Sequence, residues 1–135
     1  MEIPHMEARE ANLLNPLQLA YMGDAVWETM VRTRLILQHM NVHHMHSECV
    51  KKVNAAAQAQ IAALLLDQLS SEETDVYLRG RNAHARHPSP KNQNPADYAD
   101  STGFEALIGF LFLTGREERL QEIADRAWEG EQEHA

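Results

Sequence analysis

Cysteine occurs once in 135 residues, at Cys49, so no internal disulfide is available, and a lone thiol of this kind belongs to a reducing compartment. No stretch approaches the roughly 20 uncharged apolar residues of a membrane span, and the opening MEIPHMEARE is too acidic and polar for a secretion signal. Alternating apolar and polar residues never extend far enough to build a sheet. Positive charge is also scarce: 12 Lys and Arg against 20 Asp and Glu leave a formal net charge of -8, a global field that repels nucleic acid and anionic membrane. These absences predict a cytoplasmic protein with no membrane partner. Stability must come from burial, and 44% hydrophobic content in this length suffices for one core that hides roughly two thirds of the unfolded surface.

What is present is helical. Asn15 followed by Pro16 is an N-cap and a first-turn proline, and predicts a helix from Pro16 to about Gln38. Residues 40–46 are polar and histidine-rich, and Ser47 opens a second long helix reaching about Leu69. Ser70 or Ser71 caps a third, whose Glu72, Glu73 and Asp75 suit the positive end of the helix dipole, and which Gly80 weakens near its end. RHPSPKNQN (86–94) carries two prolines and no periodicity, as an exposed loop would. Asn94 and Pro95 repeat the cap-and-proline signal for a helix through Leu113, ended by Gly115. A last helix, 116 to about 130, puts Leu120, Ile123, Ala124 and Ala127 on one stripe. The expected architecture is a single all-α domain, 1–135, of five to seven helices, with 1–14 as an N-terminal extension and 129–135 as an acidic tail.

Within GFEALIGFLFL (103–113) the apolar residues recur at helical spacing and cover nearly the whole circumference, yet Glu105 sits among them. An ionised carboxylate taken from water without a partner costs several kcal/mol. A second acid, Asp24, lies on one face of the first long helix with Leu17, Ala20, Tyr21, Glu28 and Val31, while Leu19, Met22, Val26, Met30 and Leu37 make the other face apolar too. A helix apolar on both sides is central, or packs on a core with one side and on another subunit with the other. No Lys or Arg lies in either run, so Asp24 and Glu105 point to convergence on a bound cation. Oxygen ligands of this type suit Mg²⁺ or Mn²⁺, which keep several waters and take one or two carboxylates plus substrate phosphate. Two plainer readings stand beside this one. Thr102 and Glu105 fit the spacing of a capping box, and Asp24 also fits a buried acid held by hydroxyls or backbone amides.

Residues 76–91 hold four cations, Arg79, Arg81, Arg86 and Lys91, with His84 and His87 and no Asp or Glu, a local basic surface on an acidic chain. His43, His44 and His46 read as solvated side chains on a polar linker rather than a metal site.

Taken together these residues resemble a known family. LAYMGDAVWE (19–28) resembles the signature helix of ribonuclease III domains, FEALIGFLFL (104–113) their second acidic motif, and RGRNA (79–83) with PKN (90–92) the compact branch called Mini-ribonuclease III. The resemblance implies an all-helical homodimer that hydrolyses double-stranded RNA with Mg²⁺, or Mn²⁺ in its place, and a role in maturing the 23S ribosomal RNA precursor; whether a ribosomal protein or another factor assists as partner stays open at this point. It implies Asp24 and Glu105 as catalytic, metal-binding residues, with Arg79, Arg81, Asn82, Arg86, Lys91 and Asn92 as RNA contacts. Full-length ribonuclease III carries a Glu where this chain has Ala20 and an Asp where it has Thr102, and a double-stranded-RNA-binding domain of which 129–135 shows no trace. A non-cleaving RNA-binding domain of the same fold is the alternative.

Overall fold

A computed structural model describes residues 2–83, 91 and 93–133, with side chains to 130. All regular structure among them is helical: α1 (Ala8–Asn12), α2 (Pro16–Leu37), α3 (Val42–Val53), α4 (Ala55–Leu65) running into a 3₁₀ turn (Leu66–Gln68), α5 (Ser71–Ala83), α6 (Pro95–Leu113) and α7 (Glu117–Glu133). None of these helices is long and apolar enough to cross a membrane. The core surrounds α6, which packs against α2, α5 and α4 and meets α7 and α1 as well.

Asparagine and serine caps set most of the boundaries. Asn15 Oδ1 accepts from the Leu17 amide at 2.9 Å while Gln18 Oε1 accepts from the Asn15 amide at 3.0 Å. Asn94 accepts from the Asp97 amide at 3.0 Å, and Ser70 with Glu73 closes a reciprocal box at 2.9 and 3.1 Å. Each such cap contributes about 1 kcal/mol. Two expected boundaries are corrected. The long helix from Ser47 to Leu69 is broken, because Asn54 leaves helical geometry (ψ 162°) and caps α4 through the Ala57 amide at 2.8 Å. The histidine-rich stretch is helical from Val42, because Asn41 caps it through the His44 amide at 2.9 Å. The N-terminal extension also folds: α1 buries Ala11, and the Met6 amide donates to Leu113 O at 2.8 Å.

The crossing of α2 and α6 determines everything around it. A Cβ built on Gly23 would lie 1.7 Å from Glu105 O, and one on Gly109 would lie 1.9 Å from Leu19 O, so the two backbones touch where only glycine fits. Beside that contact Trp27 meets Phe104 edge-on, with ring centroids 5.1 Å apart. Every residue of α6 from Ser101 to Leu111 is buried except Glu105, which is half-buried. Thr102 lies inside the helix and its hydroxyl donates to Tyr98 O at 2.9 Å, which removes the capping-box reading of Glu105. Gly115, at φ +70°, ends α6 in the left-handed region, and the Arg116 amide closes back on Leu111 O at 2.9 Å.

Helix α7 buries Leu120, Ile123, Ala124 and Ala127, the expected stripe. Arg119 ties it to the start of α5, donating to both oxygens of Glu73 at 2.7 and 2.9 Å and to Gln68 O at 2.9 Å. Burial alone would raise the Glu73 carboxyl, but hydrogen bonds from Arg119 and Ser70 and the charge of Arg119 hold it below its ordinary value. Arg34 pairs with Asp125, and Lys52 lies 4.3 Å from the centroid of the Trp128 ring.

Because the glycine contact is backbone to backbone, no side-chain motion relieves a methyl placed there. Gly109→Ala is expected to destabilise the chain by about 3 kcal/mol, at the upper end of overpacking costs, read as a lowered urea midpoint; an unchanged midpoint would show that the two helices can separate freely.

Candidate active site

Gly23 lies in the contact between α2 and α6, so the residue after it, Asp24, turns toward the lip of that contact. Glu105 is one helical turn before Gly109, the other half of the same contact. The close backbone approach therefore brings the two carboxyl groups within hydrogen-bonding reach of each other. The expected environment of Asp24 is corrected here: its side chain is exposed rather than embedded among apolar neighbours, because the buried side of α2 runs through Leu19, Ala20, Gly23, Trp27 and Val31 and leaves Asp24 at its edge. Glu105 carries the burial.

The electrostatics follow. Burial first, then the hydrogen bond and charge of Asp24, push the Glu105 carboxyl up from an ordinary 4.5 to about 8, with Gln58 acting in the opposite sense. No cationic side chain is among the groups acting on it. Glu28, one turn beyond Asp24, is paired instead with Arg32 at 3.3 Å. Among the described residues no third His, Cys, Asp or Glu joins the pair to complete a protein-only metal cage, and His43, His44 and His46 form no such group either. Two acid groups at an opening, one held partly neutral for want of positive charge, fit a hard divalent ion that takes its other ligands from water and phosphate.

The cations of α5 are placed by a second close contact. A Cβ on Gly80 would lie 2.7 Å from Ala106 Cβ, so the part of α5 that carries Arg79 and Arg81 packs on the stretch of α6 that carries Glu105. Both have work inside the chain. Arg79 donates to Asn12 Oδ1 at 2.6 Å and Asn12 O at 3.2 Å and pairs with Asp75 at 3.3 Å. Arg81 Nε lies 2.9 Å from Asp100 Oδ1, which also accepts from the Tyr77 hydroxyl at 3.2 Å. Burial, then the charge and hydrogen bond of Asp100, hold that phenol up at about 12. Asn82 and Lys91 are exposed. Arg86, Asn92, His84 and His87 lie outside the described residues.

Sequence reasoning did not find Gln58, which is buried beside Glu105. The signal was available: Asn54 four residues earlier is the N-cap of α4, and a cap at that point fixes which face of α4 Gln58 occupies.

An all-helical chain with paired carboxylates at a helix crossing defines a class that known proteins then name. Residues 17–116 match the family model of the ribonuclease III domain, and that span contains both Asp24 and Glu105. The chain is 48% identical to Mini-ribonuclease 3 of Symbiobacterium thermophilum, over 84% of this chain and 88% of that one. It is 44% identical to Mini-ribonuclease 3 of Staphylococcus aureus, over 84% and 87%. A crystal structure of a protein from Fusobacterium nucleatum superimposes with a TM-score of 0.80 at 28% identity, covering 88% of this chain and 95% of that one. The chain belongs to the ribonuclease III domain family, in its Mini-ribonuclease III branch, and is an endoribonuclease.

The raised Glu105 carboxyl gives the cation-free protein a pH signature. A carboxyl whose folded value exceeds its unfolded one contributes stability that is complete below about 4.5 and lost as pH rises toward 8. Glu105→Gln is neutral throughout, so in chelator its melting temperature should exceed the parent's by a margin that grows between those limits. A margin independent of pH would show that Glu105 titrates as an ordinary carboxylate.

Proposed function

We propose that this chain is a divalent-cation-dependent endonuclease that cuts double-stranded RNA, with Asp24 and Glu105 holding the ion. The observation that carries the reading is the meeting of those two carboxyl groups at the α2–α6 contact, with no side-chain cation acting on Glu105. Mg²⁺, with Mn²⁺ as a substitute, supplies when bound the Lewis acidity that activates water and stabilises charge developing on the phosphate. The chain's own part is to present the acid pair on two helices that cannot shift relative to one another, with Asp24 open to the substrate and Glu105 shielded from bulk water. No side-chain nucleophile is needed, and Cys49 is buried in α3.

Duplex RNA shows its base edges poorly, so recognition rests on phosphates, 2′-hydroxyls and shape. Arg79, Arg81, Asn82 and Lys91, with Arg86 and Asn92, are the phosphate and sugar contacts in this reading. Arg79 and Arg81 are held in place by Asn12, Asp75 and Asp100, and so are pre-ordered for a backbone of fixed spacing. The natural substrate in this reading is the 23S ribosomal RNA precursor, presented with the help of a ribosomal protein, in the cytoplasm. The working form is a homodimer, which gives one cutting centre for each strand. Support for the dimer comes from α2, where Tyr21 is 83% exposed and Met22, Val26 and Met30 line an apolar groove with Phe112 and Leu120.

Incubating a labelled duplex, including the stem of the 23S precursor, with Mg²⁺ should give cleavage that chelator stops. Asp24→Asn and Glu105→Gln should each lower it by about 100-fold in chains that still fold; duplex binding without cleavage in the parent would mark a binding domain instead. Arg81→Ala and Lys91→Ala should each reduce the slope of log affinity against log salt by about 0.9, and an unchanged slope removes that residue from the interface. Light scattering should report about twice the 15.3 kDa of one chain, a single-chain mass being the outcome against a dimer.

A further inference from the structure

Gln58 has no part in the reading above, yet among the described residues it is the most deeply buried polar side chain. It lies on α4 at 1% exposure, and α4 packs along α6. Buried amides in folded proteins are hydrogen-bonded, and an unmade buried donor costs about 1–3 kcal/mol. Gln58 Nε2 nevertheless closes no full hydrogen bond. The group it adjoins is Glu105, and Asp24 reaches the same carboxyl from α2. A donor short of an acceptor therefore stands against an acid short of a donor.

The residue type matters to the chemistry. Lysine at this position would neutralise the pair and compete with a metal ion. Glutamate would add a third buried negative charge, and leucine would leave the carboxylate undirected. A neutral amide alone favours the ionised Glu105 without cancelling its charge.

We infer that Gln58 is a positioning residue, donating from Nε2 to the ionised Glu105 carboxylate and holding it beside Asp24 in the arrangement that receives a divalent cation. The buried, unpartnered amide is the one polar group that α4 brings to this carboxylate among the described residues. This rests on the reading of Asp24 and Glu105 as a cation site.

The test uses the full chain and Mn²⁺ as the probe. Gln58→Met keeps the bulk of the side chain and removes the donor. Paramagnetic resonance titration without RNA should show Mn²⁺ binding about tenfold weaker than in the parent, the size of one charge-assisted hydrogen bond. With duplex RNA and saturating Mg²⁺, kcat should fall while KM for RNA stays unchanged, a split that general loosening of the core would not produce. Gln58→Met with parental Mn²⁺ affinity and kcat overturns the inference, while a parent that binds no Mn²⁺ overturns the cation site and the inference together. Should Gln58→Met fail to fold, the ¹⁵N-labelled parent decides. One Gln58 side-chain amide proton should resonate downfield in the presence of Mg²⁺ and return to the ordinary position in Glu105→Ala; an ordinary position in the parent overturns the inference.

Discussion

Two glycines in contact carry the rest of the molecule. With Gly23 against Glu105 O and Gly109 against Leu19 O, α2 and α6 approach until their backbones touch. Glycine inside a helix costs about 1 kcal/mol relative to alanine, and both residues lie in helix interiors where the sequence has ample alanine elsewhere. The return is geometric. An aspartate side chain extends only a few bonds from its backbone, so two acids on different helices share a space only if the helices approach closely at that point. The same approach lets α6 bury almost its whole circumference, because α2, α4 and α5 can each reach it.

That packing explains the asymmetry of the acid pair. Glu105 belongs to the element at the centre of the core and takes the cost of burial, which lifts its carboxyl to about 8; Asp24 belongs to a helix with one open side and remains exposed. In the proposed reading, a cation between them would replace water for one and supply positive charge for the other. Burial of both would close that site to a duplex. Had both been exposed, nothing would distinguish them from the other surface carboxylates of an acidic chain.

The charge distribution makes similar sense at larger scale. A net charge of -8 does not favour RNA, so any grip on it must be local. The arginines of α5 are local in that sense and are also tied into the fold, Arg79 to α1 through Asn12 and Arg81 to α6 through Asp100. Elsewhere arginine serves the fold alone. Arg119 compensates the deeply buried Glu73, whose carboxylate would otherwise be an unpaired charge between α5 and α7.

Much of this was readable from residue order. The starts of α2 and α6, the end of α6 at Gly115, the apolar stripe of α7 and the two candidate acids all follow from caps, prolines and helical periodicity, which are local effects. Local signals conflict at Asn41 and Asn54, where a capping side chain outweighs an otherwise continuous polar or helical run. The five residues of α1 carry too little pattern to be seen without α6 to pack on. By itself, then, the sequence determined an all-helical chain with one acid on each of its two most apolar helices, since periodicity and capping act within a few residues. Only the tertiary structure decided that those acids meet, that one is open and the other shielded, and that Gln58 stands behind them. Contacts between residues distant along the chain depend on how closely helices can approach, and at this crossing that distance is set by the absence of a Cβ at Gly23 and Gly109.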